Sequence, residues 1–245
     1  MFAASARAGK RGHCSRLFKP SSRTAARQPY VLAPMTDGDG VTKFVATFHD
    51  ASPPAPALLT ELIYWRQQLV SLSVLGQDPA RYDGVGFGNV SCRHPGRPNA
   101  FIITGTQTGG MATLSPRDFA VVTAWDWVAN TLTAEGGRPP SSEALTHAAL
   151  YSAAPGICWV LHGHAPALWH SAERHGIPTT PANVAYGTPA MAACVAALVA
   201  NRDGRGLGLP GLLAMGGHED GVIAYGATAA STGGLMVRWT TNLTF

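Results

Sequence analysis

His162 and His164 form a His-x-His pair at the end of an apolar run, Cys158-Trp-Val-Leu-His-Gly-His164. His218 closes a second apolar run, Leu212-Leu-Ala-Met-Gly-Gly-His218. Side chains on a strand repeat their direction every two residues, so the first pair shares one face. Neutral imidazoles suit Zn²⁺ and similar divalent ions, and three protein ligands leave a coordination position for water or substrate. Small residues flank both runs, Gly163 in one and Gly216-Gly217 in the other, leaving room for three imidazoles to converge. The pattern alone leaves two readings open: one shared divalent metal, or two histidines at a strand end and an unrelated third.

Further candidates surround the histidines in sequence. In Pro139-Pro-Ser-Ser-Glu143, Ser141 and Ser142 can cap a helix, and Glu143 falls in the first turn, where a carboxylate meets the positive end of the dipole. Capping accounts for Glu143 fully; the functional alternative is an acid/base group beside the metal, or a ligand that substrate displaces. His147 follows one turn later on the same face and is expected to be a packed or surface histidine. The serine hydroxyls and free helix amides could receive a phosphate or carboxylate. So could Thr104-Gly-Thr-Gln-Thr-Gly-Gly110, a hydroxyl- and amide-rich loop after a strand. Gly84-Val-Gly-Phe-Gly88 resembles a dinucleotide loop but leads into a strand instead of a helix, so it is set aside.

The elements that would position these residues mix helices and strands. A Pro-rich breaker, Ala51-Ser-Pro-Pro-Ala-Pro56, precedes Leu58, Leu59, Leu62, Ile63, Leu69, Val70 and Leu72, whose spacing predicts an amphipathic helix to about Val74. Strands are expected over residues 85–92 and 101–104. A short helical turn should begin at Ser115-Pro116, and a hairpin should use residues 121–128 and 131–134. A second helix runs from Glu143 to near Ala153, followed by the strand that reaches His162. Pro189 opens a buried helix to Asn201, a strand pair flanks His218, and a last helix starts near Thr228. Hairpins outnumber strand–helix–strand crossovers. The expected fold is α/β: a three-layer α/β/α domain with a largely antiparallel central sheet.

Composition narrows the rest. One domain is expected from 245 residues that are 46% hydrophobic, and no apolar stretch approaches the ~18 residues of a membrane span. Cys14, Cys92, Cys158 and Cys194 are widely spaced, so reduced thiols in a cytoplasmic protein are expected instead of disulfides or a cysteine zinc site. Residues 1–35 carry seven Lys or Arg and no acid; the remainder has 11 basic against 14 acidic residues, a net charge of −3. Residues 1–50 are read as a basic, disordered N-terminal extension, with a mitochondrial transit peptide as the alternative, and removal of residues 1–35 is expected to be harmless. No nucleic-acid module or secretory h-region accompanies the charge, so neither nucleic acid nor membrane is an expected partner.

Taken in order, six segments resemble the class II aldolase/adducin family: Gly88-Asn-Val-Ser-Cys-Arg93, Phe101-Ile-Ile-Thr-Gly-Thr106, Pro140-Ser-Ser-Glu143, Val160-Leu-His-Gly-His164, Tyr186-Gly-Thr-Pro189 and Gly217-His-Glu-Asp-Gly221. The resemblance covers roughly residues 57–240, within a domain taken as residues 51–245. It implies a homo-oligomer, often a tetramer, with sites at subunit boundaries. It further implies a divalent metal, commonly zinc, on His162, His164 and His218, with Glu143 as catalytic acid/base. Asn89, Ser141, Ser142 and the loop Thr104, Gly105 and Thr106 would bind a substrate phosphate. Adducin-type members lack the metal set, which this chain keeps. Two features depart from the family pattern. Gln107-Thr108-Gly109 lengthens the loop, and no tyrosine follows Tyr225, whereas some aldolases place a C-terminal tyrosine over a neighbour's site.

The resulting expectation is a metal-dependent carbon–carbon lyase that cleaves a hydroxy-carbonyl or sugar-phosphate-like substrate through a metal-stabilised enediolate. A decarboxylase, dehydratase or epimerase on the same metal site is the first alternative, and a non-catalytic adducin-like interaction module is the second.

Overall fold

The computed structural model describes residues 29–34, 42–203 and 209–242. Hydrophobic alternation organises the described residues around one sheet. Strands β1 (Tyr30–Leu32) and β2 (Val45–Asp50) lie at one side of it, and a first helix, α1 (Thr60–Ser71), follows them. A short ribbon comes next, β3 (Gly76–Gln77) with β4 (Gly86–Phe87). The sheet resumes with β5 (Asn89–Arg93), β6 (Phe101–Thr104), β7 (Phe119–Asp126) and β8 (Thr131–Gly136). Helix α2 (Ala144–Ala153), strand β9 (Trp159–His164) and helices α3 (Pro166–Ser171) and α4 (Pro189–Asp203) follow. Strands β10 (Gly211–Ala214) and β11 (Gly221–Gly226) and helix α5 (Ala229–Asn242) complete the order.

The nine strands of the sheet run β1-β2-β8-β7-β6-β5-β9-β11-β10. Only β2 and β8 pair in parallel; the other neighbours are antiparallel. Because successive strand residues face opposite ways, each strand serves two cores. Phe101, Ile103, Val160, Leu213 and Ile223 pack against α2 and α4, while Ile102, Leu161, Leu212 and Val222 pack against α1, α3 and α5. The α/β/α layering expected from the sequence is therefore present, with its largely antiparallel sheet. No helix among the described residues is long and apolar enough to cross a membrane.

Two expectations need correction. The boundary placed at residue 50 falls inside the fold: Phe44, Ala46 and Phe48 are buried in the α2/α4 core, and β2 pairs with β8 along all six of its residues. Truncation at residue 35 would also remove β1, which pairs with β2. The rest of the basic segment, residues 1–28 and 35–41, lies outside the described residues. The single strand expected over residues 85–92 is broken at Gly88. Its φ of +78° belongs to the left-handed region, and a Cβ there would stand 2.9 Å from Leu75 Cγ. The break lets β4 leave the sheet and returns the chain as β5.

Glycine between the two β9 histidines has a different purpose from the one the sequence suggests. Gly163 faces away from the imidazoles, and the chain after α1 crosses it so closely that a Cβ would meet the Val74 carbonyl oxygen at 2.7 Å. That same carbonyl accepts the His164 amide at 2.7 Å. We expect Gly163→Ala to cost about 1–3 kcal/mol, the usual penalty for overpacking a filled core. Urea denaturation would measure it, and an unchanged midpoint would contradict the packing described.

Candidate metal centre and active site

Strand β9 lies between β5 and β11, with His162 opposite Asn89 on one side and Ile223 on the other. Its alternation turns His162 and His164 to the α2/α4 face. The tight connection from β10 to β11 brings His218 to the same place, closed by bonds from the His218 amide to the Met215 carbonyl and from the Gly221 amide to the His218 carbonyl. Gly216 and Gly217 allow this connection to press against the backbone of Thr180 and Val184. One nitrogen from each histidine then lies within 4.8 Å of the others, and all three rings are buried. His164 Nε2 and His218 Nε2 are 3.1 Å apart.

Helix α2 delivers the carboxylate. Glu143 is its N-cap residue, yet its side chain makes no capping bond. Neither serine supplies a strong cap; the Ser141 hydroxyl only accepts the Glu143 amide at 3.4 Å. The Glu143 carboxylate instead turns into the histidines, with Oε2 2.8 Å from His162 Nε2 and Oε1 3.6 Å from His218 Nε2. The Asn89 side-chain amide donates to Oε2 at 3.0 Å. Burial by itself would raise the carboxyl, but the adjacent His162 and His218 imidazoles and the Asn89 amide hold it well below the usual carboxylate range. Burial pushes His218 down to about 4 and His164 well below the ordinary imidazole value. These rings are neutral near pH 7, in the form that offers a lone pair.

This donor set fits a divalent cation. His162 Nδ1 lies 3.1 Å from the Val222 carbonyl oxygen, which can only accept, so Nδ1 carries a proton and Nε2 is the nitrogen left to face Glu143 or a cation. A second contact that fixes the ring is a regular feature of metal-binding histidines. Nε2 of His162 and Oε1 of Glu143 are buried without a hydrogen-bond partner among the described residues. Two lone-pair atoms facing each other at 2.8 Å require a proton or a cation between them. Two tetrahedral ligands on one zinc stand about 3.3 Å apart, close to the spacing of the His164 and His218 nitrogens.

His164 and His218 line a cleft beside Glu143. Asn89, Gly105, Thr106, Ser141, Ser142, Glu143, His164 and His218 all line it, so most of the sequence candidates converge. His162 lies behind Glu143. Thr104 is not on the wall; its hydroxyl accepts the Val90 amide at 3.2 Å. His147 is fully buried, 2.7 Å from the Ser91 hydroxyl, and its remaining nitrogen is unpartnered among the described residues.

Sequence reasoning gave no role to three parts of the site, although Tyr186 and Asp220 stand in quoted motifs. Tyr186 stacks on His218 with ring centres 4.4 Å apart, and the Lys43 amine sits 3.7 Å over the tyrosine ring. Tyr82 packs edge-on to His164 at 4.4 Å and donates from its hydroxyl to Asp220 at 2.6 Å. Tyr82 and Asp220 both have left-handed backbone, with φ of 50° and 61°. Arg66 lies beneath the loop of residues 105–110. Its only sequence signal was position: it falls in the α1 stripe with Leu62 and Leu69, where an apolar residue belongs.

A three-layer fold with three histidines and a glutamate at its cleft defines the class, and the family follows from comparison. Residues 78–232 match the class II aldolase and adducin N-terminal domain, and the chain belongs to that family. No curated protein matches it in sequence. Its fold is similar to L-fuculose-1-phosphate aldolase from Thermus thermophilus: 18% identity over 76% of this chain and 91% of that one, with a TM-score of 0.53. YgbL from Escherichia coli is also 18% identical, over 77% and 88% of the two chains, with a TM-score of 0.54. A sugar-phosphate aldolase from Thermotoga maritima gives 14% identity over 75% and 91%, with a TM-score of 0.52. At these identities the likeness is one of fold.

Proposed function

We propose that this protein is a metal-dependent carbon–carbon lyase of the aldolase type, acting on a small hydroxy-carbonyl substrate with an anionic end group. The observation that carries the reading is the convergence of Glu143 with three buried imidazoles at an open cleft. His162, His164 and His218 would hold a divalent ion, most simply Zn²⁺, which supplies Lewis acidity toward a carbonyl oxygen.

The chain's own groups account for the rest. Glu143 would remove a proton from, and return it to, the carbon next to that carbonyl. Asn89 fixes Oε2, so the carboxylate enters the reaction already oriented. Burial of Glu143 keeps water from competing for the same proton. Ser141, Ser142 and the Thr106 hydroxyl line the same cleft and would seat the anionic end, whereas the Gly105 amide is already donated to the Asp118 carbonyl at 2.7 Å and cannot take part. An adducin-like, non-catalytic role is disfavoured by the intact histidine set. Decarboxylation, dehydration or epimerisation uses the same groups and remains the second reading.

The reading extends to a cytoplasmic homotetramer, consistent with the free Cys92, Cys158 and Cys194 thiols, of which Cys92 is pushed up to about 12 by burial. It also retains the division into an N-terminal extension and one catalytic domain, with the boundary moved ahead of β1. Zinc-loaded protein should release an aldehyde or ketone from a member of a panel of sugar phosphates and hydroxy-aldehyde adducts, and a chelator should abolish the release. Carbon dioxide release from hydroxylated acids, without carbonyl cleavage, would replace the lyase reading with the second one. Light scattering should show an oligomer at micromolar concentration, and a monomer would count against the tetramer.

A further inference from the structure

Arg66 is 1% exposed, yet no carboxylate bonds to it among the described residues. Its Nη2 donates to three backbone carbonyls of one loop: Thr108 at 2.9 Å, Gly109 at 3.1 Å and Met111 at 2.6 Å. Nε and Nη1 are buried without partners among the described residues. Desolvating a guanidinium is expensive, and three neutral carbonyls repay only part of that cost. Burial lowers its pKa below the usual arginine value, but a guanidinium keeps its charge at neutral pH.

Asp118 is the acid nearest to this loop and is already committed: Arg138 donates to it at 3.1 and 3.2 Å, and Ser115 donates from both amide and hydroxyl. Arg138 itself presses on Gly105 at the root of the loop. Two guanidinium groups therefore lie against the loop, and the carboxylate bonded to one of them, Asp118, makes no hydrogen bond to Arg66.

The carbonyl contacts also orient the loop. In a trans peptide the carbonyl and the following N–H point in opposite directions. Pulling the Thr108 and Gly109 carbonyls toward Arg66 turns the Gly109 and Gly110 amides away from it. Neither amide makes a backbone hydrogen bond among the described residues. Residues Gly105 to Gly109 line the cleft, so of these two glycines it is residue 109 that borders it. Glycine is required at residue 109, since a Cβ there would stand 2.8 Å from Gly86 Cα.

We propose that Arg66 is a positioning residue for anion binding: it holds the loop of residues 105–110 in its amide-presenting form and supplies positive charge beneath it. The ligand class is a small oxyanion group, a phosphate ester or a carboxylate. The proposal rests on the reading of the cleft as an active site that accepts an anionic end group, and it explains how the lengthened loop can still serve one.

The test uses full-length, zinc-loaded protein, with inorganic phosphate and propionate as separate probes in calorimetric titrations. Wild type should bind at least one probe, and which one identifies the anion. Arg66→Met, similar in length but uncharged, should weaken that binding by about 10-fold or more, as expected for a lost charge-assisted network. Arg66→Lys keeps the charge and should recover part of the loss. Metal content, and the visible spectrum of the cobalt-substituted protein, should stay unchanged in both variants, which separates loop positioning from general damage. Unchanged anion affinity in a folded Arg66→Met protein overturns the proposal. If that variant does not fold, Arg66→Lys decides: its shorter side chain cannot reach all the loop carbonyls, so wild-type affinity would overturn the proposal too. Wild-type protein that binds neither probe removes the anion role of the loop and this proposal together, but leaves the metal centre to be judged by elemental analysis.

Discussion

In Glu143→Gln protein, turnover should fall by about 10²–10⁴-fold, the range for removing a general acid/base, while fold and metal content persist. Glutamine keeps the shape of the side chain, and its carbonyl oxygen can still accept the Asn89 amide that bonds Oε2 at 3.0 Å. What it loses is the ability to carry a proton. Were Glu143 only the first residue of α2, the same change would cost less than ~1 kcal/mol and leave turnover intact. The geometry already weakens that option, because the side chain makes no capping bond and lies 4% exposed among the histidines. Rate, metal content and thermal stability measured side by side decide the matter. A folded, metal-loaded variant with wild-type turnover would remove Glu143 from the mechanism.

His162→Ala, His164→Ala and His218→Ala should each lose most of the bound metal, by elemental analysis of protein purified without added chelator. Partners that merely orient a ligand are worth about 10–100-fold in metal affinity, so removing a ligand itself should exceed that range. His162→Ala should also be the least stable of the three. It vacates a fully enclosed site and leaves the Val222 carbonyl without the ring N–H that reaches it at 3.1 Å. His218 lies at the cleft wall, 8% exposed, and its removal should disturb packing least. Normal metal content in His218→Ala would break the assignment of the third ligand.

The parts of the site that were legible in the sequence are those fixed by short-range periodicity. A two-residue repeat placed His162 and His164 on one face, and the order of six motifs placed His218, Glu143 and Asn89 with them. Position along the chain could not show which way a side chain turns at a helix start. The serines therefore suggested a cap, and only the packed structure shows the Glu143 carboxylate directed at His162. Gly163 was noticed for a reason that does not hold: it makes room for Val74 on the far face of the sheet. Gly88 went unnoticed as a strand breaker because its need for positive φ comes from Leu75 and the His162 carbonyl, distant in sequence. Arg66 was the least legible. Its partners are backbone carbonyls more than 40 residues away, and backbone atoms leave no signature in residue type.

The position of β9 bears on how the site behaves when the protein fluctuates. The strand is flanked on both sides, by β5 and β11, with the His164 amide bonded instead to the Val74 carbonyl, and helices cover both faces. Amide protons in such a strand exchange with solvent only when the sheet itself comes apart. The segment carrying Tyr82 is different: residues 82–86 are half-buried or exposed, held by the Tyr82 bonds to Arg81 and Asp220 and by the Gln77 bond to the Gly84 carbonyl. It can open locally at a small fraction of the global unfolding free energy. The wall at Tyr82 can therefore loosen more readily than β9, so the cleft can widen while His162 and His164 keep their register.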